Sequence, residues 1–274
     1  MDTGLITFLS DYGYRDEFVG VCHGVIARRA PLARVIDITH GIPRHDIQAG
    51  ALTLRSALSH MPIGVHLAVV DPEVGAIGEH SRRAVALRTT TEDRLLIGPD
   101  NGLLALACER FGGAVEAVDI GRSSERLEPV SATFHGRDIF APVAAALAAG
   151  VPLAAVGEPL AVEELRALAI SEPESLDDGI RVHVLYSDNY GNLVLDATHE
   201  QLRQAGLRLG QELTVRVAGQ EHAARYASTF AEVIPGQLLL YEDAQQMAAL
   251  AVNRGSAAEL LKTRNETELD LCTL

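Results

Sequence analysis

The stretch GVHLAVVDPEVG, Gly64–Gly75, decides how the first half of the chain is read. From Val65 to Val70 every position but His66 is apolar. The run is too short for a buried helix and lacks the alternation of a half-exposed strand. A strand of this kind suits a sheet covered by helices on both faces. It ends at Asp71-Pro72, where the chain turns. Ligands of open α/β sheets gather beyond the carboxyl ends of the strands, so Asp71 is both an ordinary turn residue and a candidate site residue.

Working outward, the same grammar repeats. Gly4 to Leu9 reads as a strand that stops at Ser10-Asp11-Tyr12-Gly13. Phe18 to Arg29 has helical spacing and is ended by Pro31; Arg34 to Ile38 reads as a strand and Asp46 to His60 as a helix. Beyond the central run, AVALRTTTEDRLLIG predicts two strands joined by a polar turn. Then come a helix over Leu103 to Phe111, an extended segment over Ala114 to Asp119 and a helix over Ile139 to Ala149. Strands alternating with helices predict βαβ units, hence an α/β N-terminal domain with a largely parallel sheet flanked by helices. After about residue 172 the character changes. SEPESLDDG is polar, acidic and interrupted by Pro and Gly, and we read residues 173–180 as a linker between domains at 1–172 and 181–274. Arg181 to Tyr186, Glu212 to Val217, His222 to Tyr226 and Gln237 to Tyr241 alternate as antiparallel strands of a smaller β domain.

Composition narrows the function classes. The chain has 274 residues, 47% hydrophobic, and a formal net charge of -14. That charge repels phosphate backbones and anionic bilayers, so neither nucleic acid nor membrane is an expected partner. No apolar stretch reaches the ~18 residues of a bilayer span, and the N-terminus lacks the pattern of a signal peptide. Cys22, Cys108 and Cys272 are scattered and form no CxxC, which argues against a disulfide framework and a structural zinc site. A cytoplasmic location is expected.

Several polar clusters fall at strand or helix ends. TFHGRDIFAPVAAALAAG, Thr133–Gly150, places His135, Arg137 and Asp138 at a helix entrance. The HGRD within it lacks the surrounding motifs of a kinase. VGAIG carries neither GxGxxG nor a Walker lysine, and PDNG is a turn signal. SDNYGNL, Ser187–Leu193, is good hairpin chemistry, and its Asp188 and Asn192 also suit an ammonium group. His40, His45 and Asp46 are close in sequence, but no HExxH-like spacing is present and no metal is expected.

Taken in order, FLSDYGYRDEFVGVCHGVI, VIDITHGIPRHDIQAGALTL, VVDPEVG, GPDNGLL, TFHGRDIFAPVAAALAAG, DNYGNL and AVNRGSAAELL resemble the S-adenosylmethionine hydroxide adenosyltransferases over nearly the whole chain. These are relatives of the S-adenosylmethionine-dependent fluorinase and chlorinase. The resemblance implies an α/β domain followed by a β-barrel, a homotrimer with active sites between subunits, and conversion of S-adenosylmethionine and water to adenosine and L-methionine without a cofactor. It further implies that Asp11, with Asp16 as a helper, holds the ribose hydroxyls. Asp71, Arg82 and His135 resemble the catalytic set, with Arg83 the competing choice for the arginine. Asp188 and Asn192 match positions near the methionine ammonium, Tyr190 and Phe230 aromatic positions around the ligand, and Asn253 with the Arg254 backbone the adenine-reading segment.

These residue types suit the reaction. The sulfonium is already a good leaving group, so the difficulty lies in water, whose pKa is ~15.7. Asp71 or His135 is the proton acceptor, and an arginine aligns the oxygen and stabilises its growing charge. Three departures stand out. Glu73 follows Asp71-Pro72 where glycine is usual, and the turn AIGEHS is long. His45 replaces a common aromatic. Ala244, Gln245 and Gln246 stand where a serine usually helps to bind the methionine carboxylate. The alternatives are a non-catalytic S-adenosylmethionine or adenosine binding protein and a halogenase; Gly136, where the halogenases carry serine, opposes the last.

Overall fold

The computed structural model describes residues 4–78, 81–263 and 265–274. The chain forms two compact units, Met1–Leu168 and Ala169–Leu274.

The first unit is built on a seven-stranded sheet of β1 (Leu5–Ser10), β2 (Arg34–Thr39), β3 (Val65–Val69), β4 (Ala84–Thr89), β5 (Leu95–Pro99), β6 (Ala114–Asp119) and β7 (Glu158–Leu160). The order is β2-β1-β3-β5-β4-β6-β7, and only β4 and β7 run against the others. Helices α1 (Phe18–Arg29), α2 (Ile47–Leu58), α3 (Ala105–Arg110) and α4 (Ala141–Ala148) cover it. Ile6 and Phe8 of β1 join the core formed with α1 and α4. Thr7 and Leu9, which point the other way along a strand, are equally buried. Both faces are therefore covered, as the unbroken apolar run of β3 predicts. Its one polar residue, His66, is satisfied by Thr7 Oγ1 at 2.9 Å and by Arg94 at 3.1 Å.

This topology collects the polar clusters at one edge. Parallel pairing sets Ser10 of β1 beside Val69 of β3, so the next residues, including Asp11 and Asp71, leave the sheet side by side. The turn after β3 packs against the segment before His135. Gly75 has φ of 74°, and a Cβ there would lie 2.2 Å from the Ala132 carbonyl oxygen. The helix expected from Ile139 instead begins with a π-helical turn, Gly136–Phe140, that leads into α4.

The second unit is a closed barrel of β9 (Gly179–Ser187), β10 (Leu193–Thr198), β11 (Glu212–Val217), β12 (Gln220–Tyr226), β13 (Leu238–Glu242), β14 (Met247–Val252) and β15 (Glu268–Thr273). The ring closes through the β9–β10 pairing. All ring pairings are antiparallel except β12–β13. A parallel pair needs a crossover rather than a hairpin, and that crossover, residues 227–237, carries Phe230. The division between units lies ahead of the expected linker, and part of that segment is structured: β8 (Glu174–Leu176) pairs with β9. Its polar composition is that of an exposed edge hairpin, turned at Asp177-Asp178, as well as of a free linker.

Candidate active site

In the first unit an open cleft is lined by Asp11, Tyr12, Asp16, Phe18, Asp71 and His135, among others. Its volume of about 290 Å³ is near the lower end for small-molecule sites. Asp11 Oδ2 accepts the backbone N–H of His45 at 3.0 Å, and His45 offers that donor from a left-handed conformation, φ 67°. Asp46, read from the sequence as the start of a helix, caps α2 by accepting from Ala49 N at 2.9 Å. Asp16 is exposed at the rim.

Arg82 joins Asp71 to His135. Its Nε donates to both carboxylate oxygens of Asp71, at 3.0 and 3.1 Å, and its Nη2 reaches Asp71 Oδ2 and, at 2.9 Å, His135 Nδ1. The side chains of Arg82 and Asp71 are 4% and 6% exposed, so this pair is shielded from bulk water. Arg83 faces elsewhere, bonding Asp100 and Glu164. The long turn before these arginines includes Glu79 and His80, which lie outside the described residues.

The contact with Arg82 fixes the state of His135. A guanidinium has donors only, so Nδ1 must present a lone pair and the ring proton sits on Nε2. Burial and then the Arg82 charge push the His135 pKa below the ordinary value, against the opposing pull of Asp71 and Asp138. The ring is neutral at physiological pH and offers an Nε2–H donor. Neighbouring Arg137 and Asp138 have a structural task. Asp138 accepts from Arg137 and from the Ser131 backbone N–H, holding the loop before His135. Burial would raise the Asp138 pKa, but these donors outweigh it and hold it low.

Two features of the cleft escaped the sequence reading. Tyr12 is wedged against Phe8, Phe18 and Phe134. Burial foremost, then Cys22, Asp11 and Asp71, pushes its phenol pKa well up, so it remains a neutral hydroxyl. A signal was available in the DYG that follows β1. Second, His135 also lines another cleft, together with Arg82, Arg83, Arg122 and Arg126. His135 therefore stands in the wall between two openings, with Arg82 on the far side of it.

The barrel unit carries the remaining candidates. Asp188 organises its own turn: Oδ1 accepts from the N–H groups of Tyr190 and Asn192 at 2.8 and 2.9 Å, and Oδ2 accepts from Asn192 Nδ2 at 2.8 Å. Tyr190 is 79% exposed on that turn. Asn253 Nδ2 donates to the carbonyls of Phe230 and Val233 at 3.1 and 2.7 Å, so its amide fixes the Phe230 turn. Arg254 is exposed, with φ of 59°. Tyr241, which the sequence reading missed, packs its ring tilted against Phe230 with centroids 5.1 Å apart; burial, and then the charge of Asp188, pushes its phenol pKa up to about 12. Ala244, Gln245 and Gln246 lie exposed on a tight turn held by Asp243.

Comparison with known proteins agrees with this arrangement of units. Residues 6–157 match the SAM hydroxide adenosyltransferase N-terminal domain and residues 182–270 the SAM hydroxide adenosyltransferase C-terminal domain. The (R)-S-adenosyl-L-methionine hydrolase of Salinispora tropica is 44% identical over 261 residues, 94% of each chain. That of Thermus thermophilus is 38% identical, over 93% of this chain and 94% of its own. A fluorinase from an Actinoplanes species is 25% identical over 78% of each chain. The crystal structure of an uncharacterized conserved protein from Thermotoga maritima superposes with a TM-score of 0.88 at 33% identity, covering 97% of this chain and 99% of that one.

Proposed function

The chain belongs to the SAM hydroxide adenosyltransferase family, and from that premise we propose that it hydrolyses S-adenosyl-L-methionine to adenosine and L-methionine. The observation that carries the reading is the Arg82 bridge between Asp71 and His135 in a cleft that also holds Asp11.

In this reading Asp11, helped by Asp16, accepts the two ribose hydroxyls. A water oxygen attacks C5′ as the C5′–sulfur bond breaks, and the bonding pair leaves with sulfur as the neutral thioether of methionine. The water proton goes to Asp71. His135 is the weaker candidate for base, because its Nδ1 lone pair is engaged by Arg82 and its other nitrogen carries the proton. Its role is to donate from Nε2 to the oxygen, while Arg82 keeps Asp71 ionised and stabilises the growing negative charge. The second opening at Arg82 and His135 gives water an approach that need not pass a nucleoside held by Asp11. The reaction so written needs no cofactor.

The barrel residues Asp188, Tyr190, Asn192, Phe230, Asn253 and Arg254 would complete the site around the methionine and adenine ends. The exposed aromatic faces of Tyr190 and Phe230 support this, as surfaces that a ligand or a second subunit would cover. We take the assembly to be a homotrimer with shared sites. Among the described residues no helix is long and apolar enough to cross a membrane, and the three cysteines are buried and free, which supports a reducing, cytoplasmic setting.

The test is to incubate the protein with each sulfonium epimer of S-adenosyl-L-methionine and resolve adenosine and methionine, beside His135→Ala and Asp71→Asn. Adenosine from the native chain and loss of turnover in both variants is the expected outcome. Nucleoside binding without turnover in the native chain would overturn the catalytic reading.

A further inference from the structure

A second polar cluster lies outside the cleft, between α1 and β2. His23 Nε2 is 2.8 Å from Asp37 Oδ1, and His40 Nε2 is 3.2 Å from the same oxygen. The three atoms all lie within 4.8 Å of one another. His40 is 0% exposed, yet among the described residues its Nε2 has no hydrogen-bond partner. The N–H direction does not meet the Asp37 oxygen despite the short separation. Buried polar atoms are nearly always paired, so an orphaned ring nitrogen beside a carboxylate and a second imidazole calls for a partner.

The other side of the ring is held by Ser10. His40 Nδ1 lies 2.7 Å from Ser10 Oγ, which also accepts the Tyr12 backbone N–H at 3.2 Å. In the tautomer whose Nδ1–H donates to Ser10, Nε2 keeps a free lone pair in the interior, 3.2 Å from Asp37 Oδ1, where a cation can accept it. Two imidazole nitrogens and one carboxylate oxygen form a donor set suited to zinc. At zinc–ligand distances of about 2.0–2.2 Å, tetrahedral ligands stand about 3.3–3.5 Å apart. The His40 edge is close to that span. The His23 edge is shorter, and the His23 side chain, 36% exposed, has room to move.

We propose that His23, Asp37 and His40 form a binding site for a zinc-like divalent cation, with a fourth position open to solvent. The Ser10 contact would orient His40 as outer partners orient metal-bound histidines. The ion takes no part in hydrolysis. It would tie α1 and β2 to the loop after β1, because the His40 carbonyl accepts Gly13 N–H at 2.7 Å and that loop carries Asp11 and Tyr12.

The experiment loads the full chain with zinc, desalts it and measures metal per chain, beside His23→Gln and Asp37→Asn. Cobalt(II) serves as the optical probe. One zinc per native chain, at least tenfold weaker binding in either variant, and a zinc-dependent rise in Tm confined to the native protein are expected. The strong visible bands of four-coordinate cobalt should appear with the native chain and fade in His23→Gln. Zinc retained equally by His23→Gln, or no retained zinc, overturns the proposal. The cobalt spectrum keeps the test open if the variants fold poorly: a weak, water-like spectrum with the native chain overturns it as well.

Discussion

Tyr12 Oη lies 2.1 Å from the point that a Cβ on Gly136 would occupy, so the phenol fills the space of a residue-136 side chain. The two positions are sterically exclusive, and the exclusion bears on which nucleophile the cleft accepts. Gly136→Ser would force Tyr12 out of its aromatic box beside Phe18 and Phe134. We expect kcat/KM for hydrolysis to fall at least tenfold and no 5′-halogenated nucleoside to form with chloride or fluoride. Tyr12→Leu combined with Gly136→Ser should recover part of the lost stability, since overpacking costs about 1–3 kcal/mol and the smaller partner relieves it. Thermal unfolding of the single and double variants checks the coupling, and an additive pair would remove the steric argument.

The two adjacent arginines should separate cleanly. Arg82 holds Asp71 through a planar fork and reaches His135 as well, a geometry that an ammonium does not reproduce. Arg82→Lys should lower kcat by about 10²–10³-fold, the range for losing one preorganised charge-stabilising donor. Arg83→Lys alters only the pairing with Asp100 and Glu164 and should leave kcat within a few-fold of native. Steady-state kinetics on both variants decides the matter; equal losses would mean that the bridge has no special role.

Much of this was legible in the sequence because it follows from short-range patterns. The apolar run of β3 implied a doubly covered sheet, and the parallel pairing of β1 with β3 then brings Asp11 and Asp71 to one edge. Counting back from β4 favours Arg82 over Arg83 in the sequence, but the long AIGEHS turn keeps Arg83 as the competing choice, since neighbouring residues differ only in which way the strand entry turns them. The crossover carrying Phe230 was hidden because a parallel pairing within a barrel has no local signature. Tyr241 reads as a strand residue, and its packing against Phe230 emerges only when the crossover folds onto β13. His23 and Asp37 lie on different elements, so the cluster with His40 emerges only when α1 packs over β2.

Buried His66 should make the fold acid-sensitive. Burial, then the Arg94 charge, lowers its pKa from 6.5 to about 3. The unfolded chain takes up this proton as pH falls through about 6.5, whereas the folded chain does not until about 3. Between these limits the unfolded state binds more protons, so stability declines as pH falls. The full effect is on the order of a few kcal/mol, because each tenfold change in proton affinity is worth about 1.4 kcal/mol. Denaturant titrations from pH 7 to pH 4 should show a shallower decline in His66→Gln than in the native chain, even if the variant is less stable throughout. Parallel slopes would mean that His66 is charged or exposed in the fold.

The approach of the β3 turn to the loop before His135 can be tested through two glycines. Gly75 and Gly78 both have positive φ, 74° and 72°, so alanine is strained at either. Only at Gly75 does an added Cβ meet backbone, 2.2 Å from the Ala132 carbonyl oxygen; at Gly78 nothing among the described residues lies within 4 Å. Gly78→Ala therefore reports backbone strain alone, about 1 kcal/mol. Gly75→Ala adds a clash that neither backbone relieves without moving the Asp71 turn away from the His135 loop. We expect it to be the more destabilising by a further 1–3 kcal/mol or so and to lower kcat more than it raises KM, because the moving element carries Asp71 and not the Asp11 loop. Equal stability and kinetics for the two variants would show that the turn yields without disturbing Arg82, and that the close packing at Gly75 is not what holds the catalytic set together.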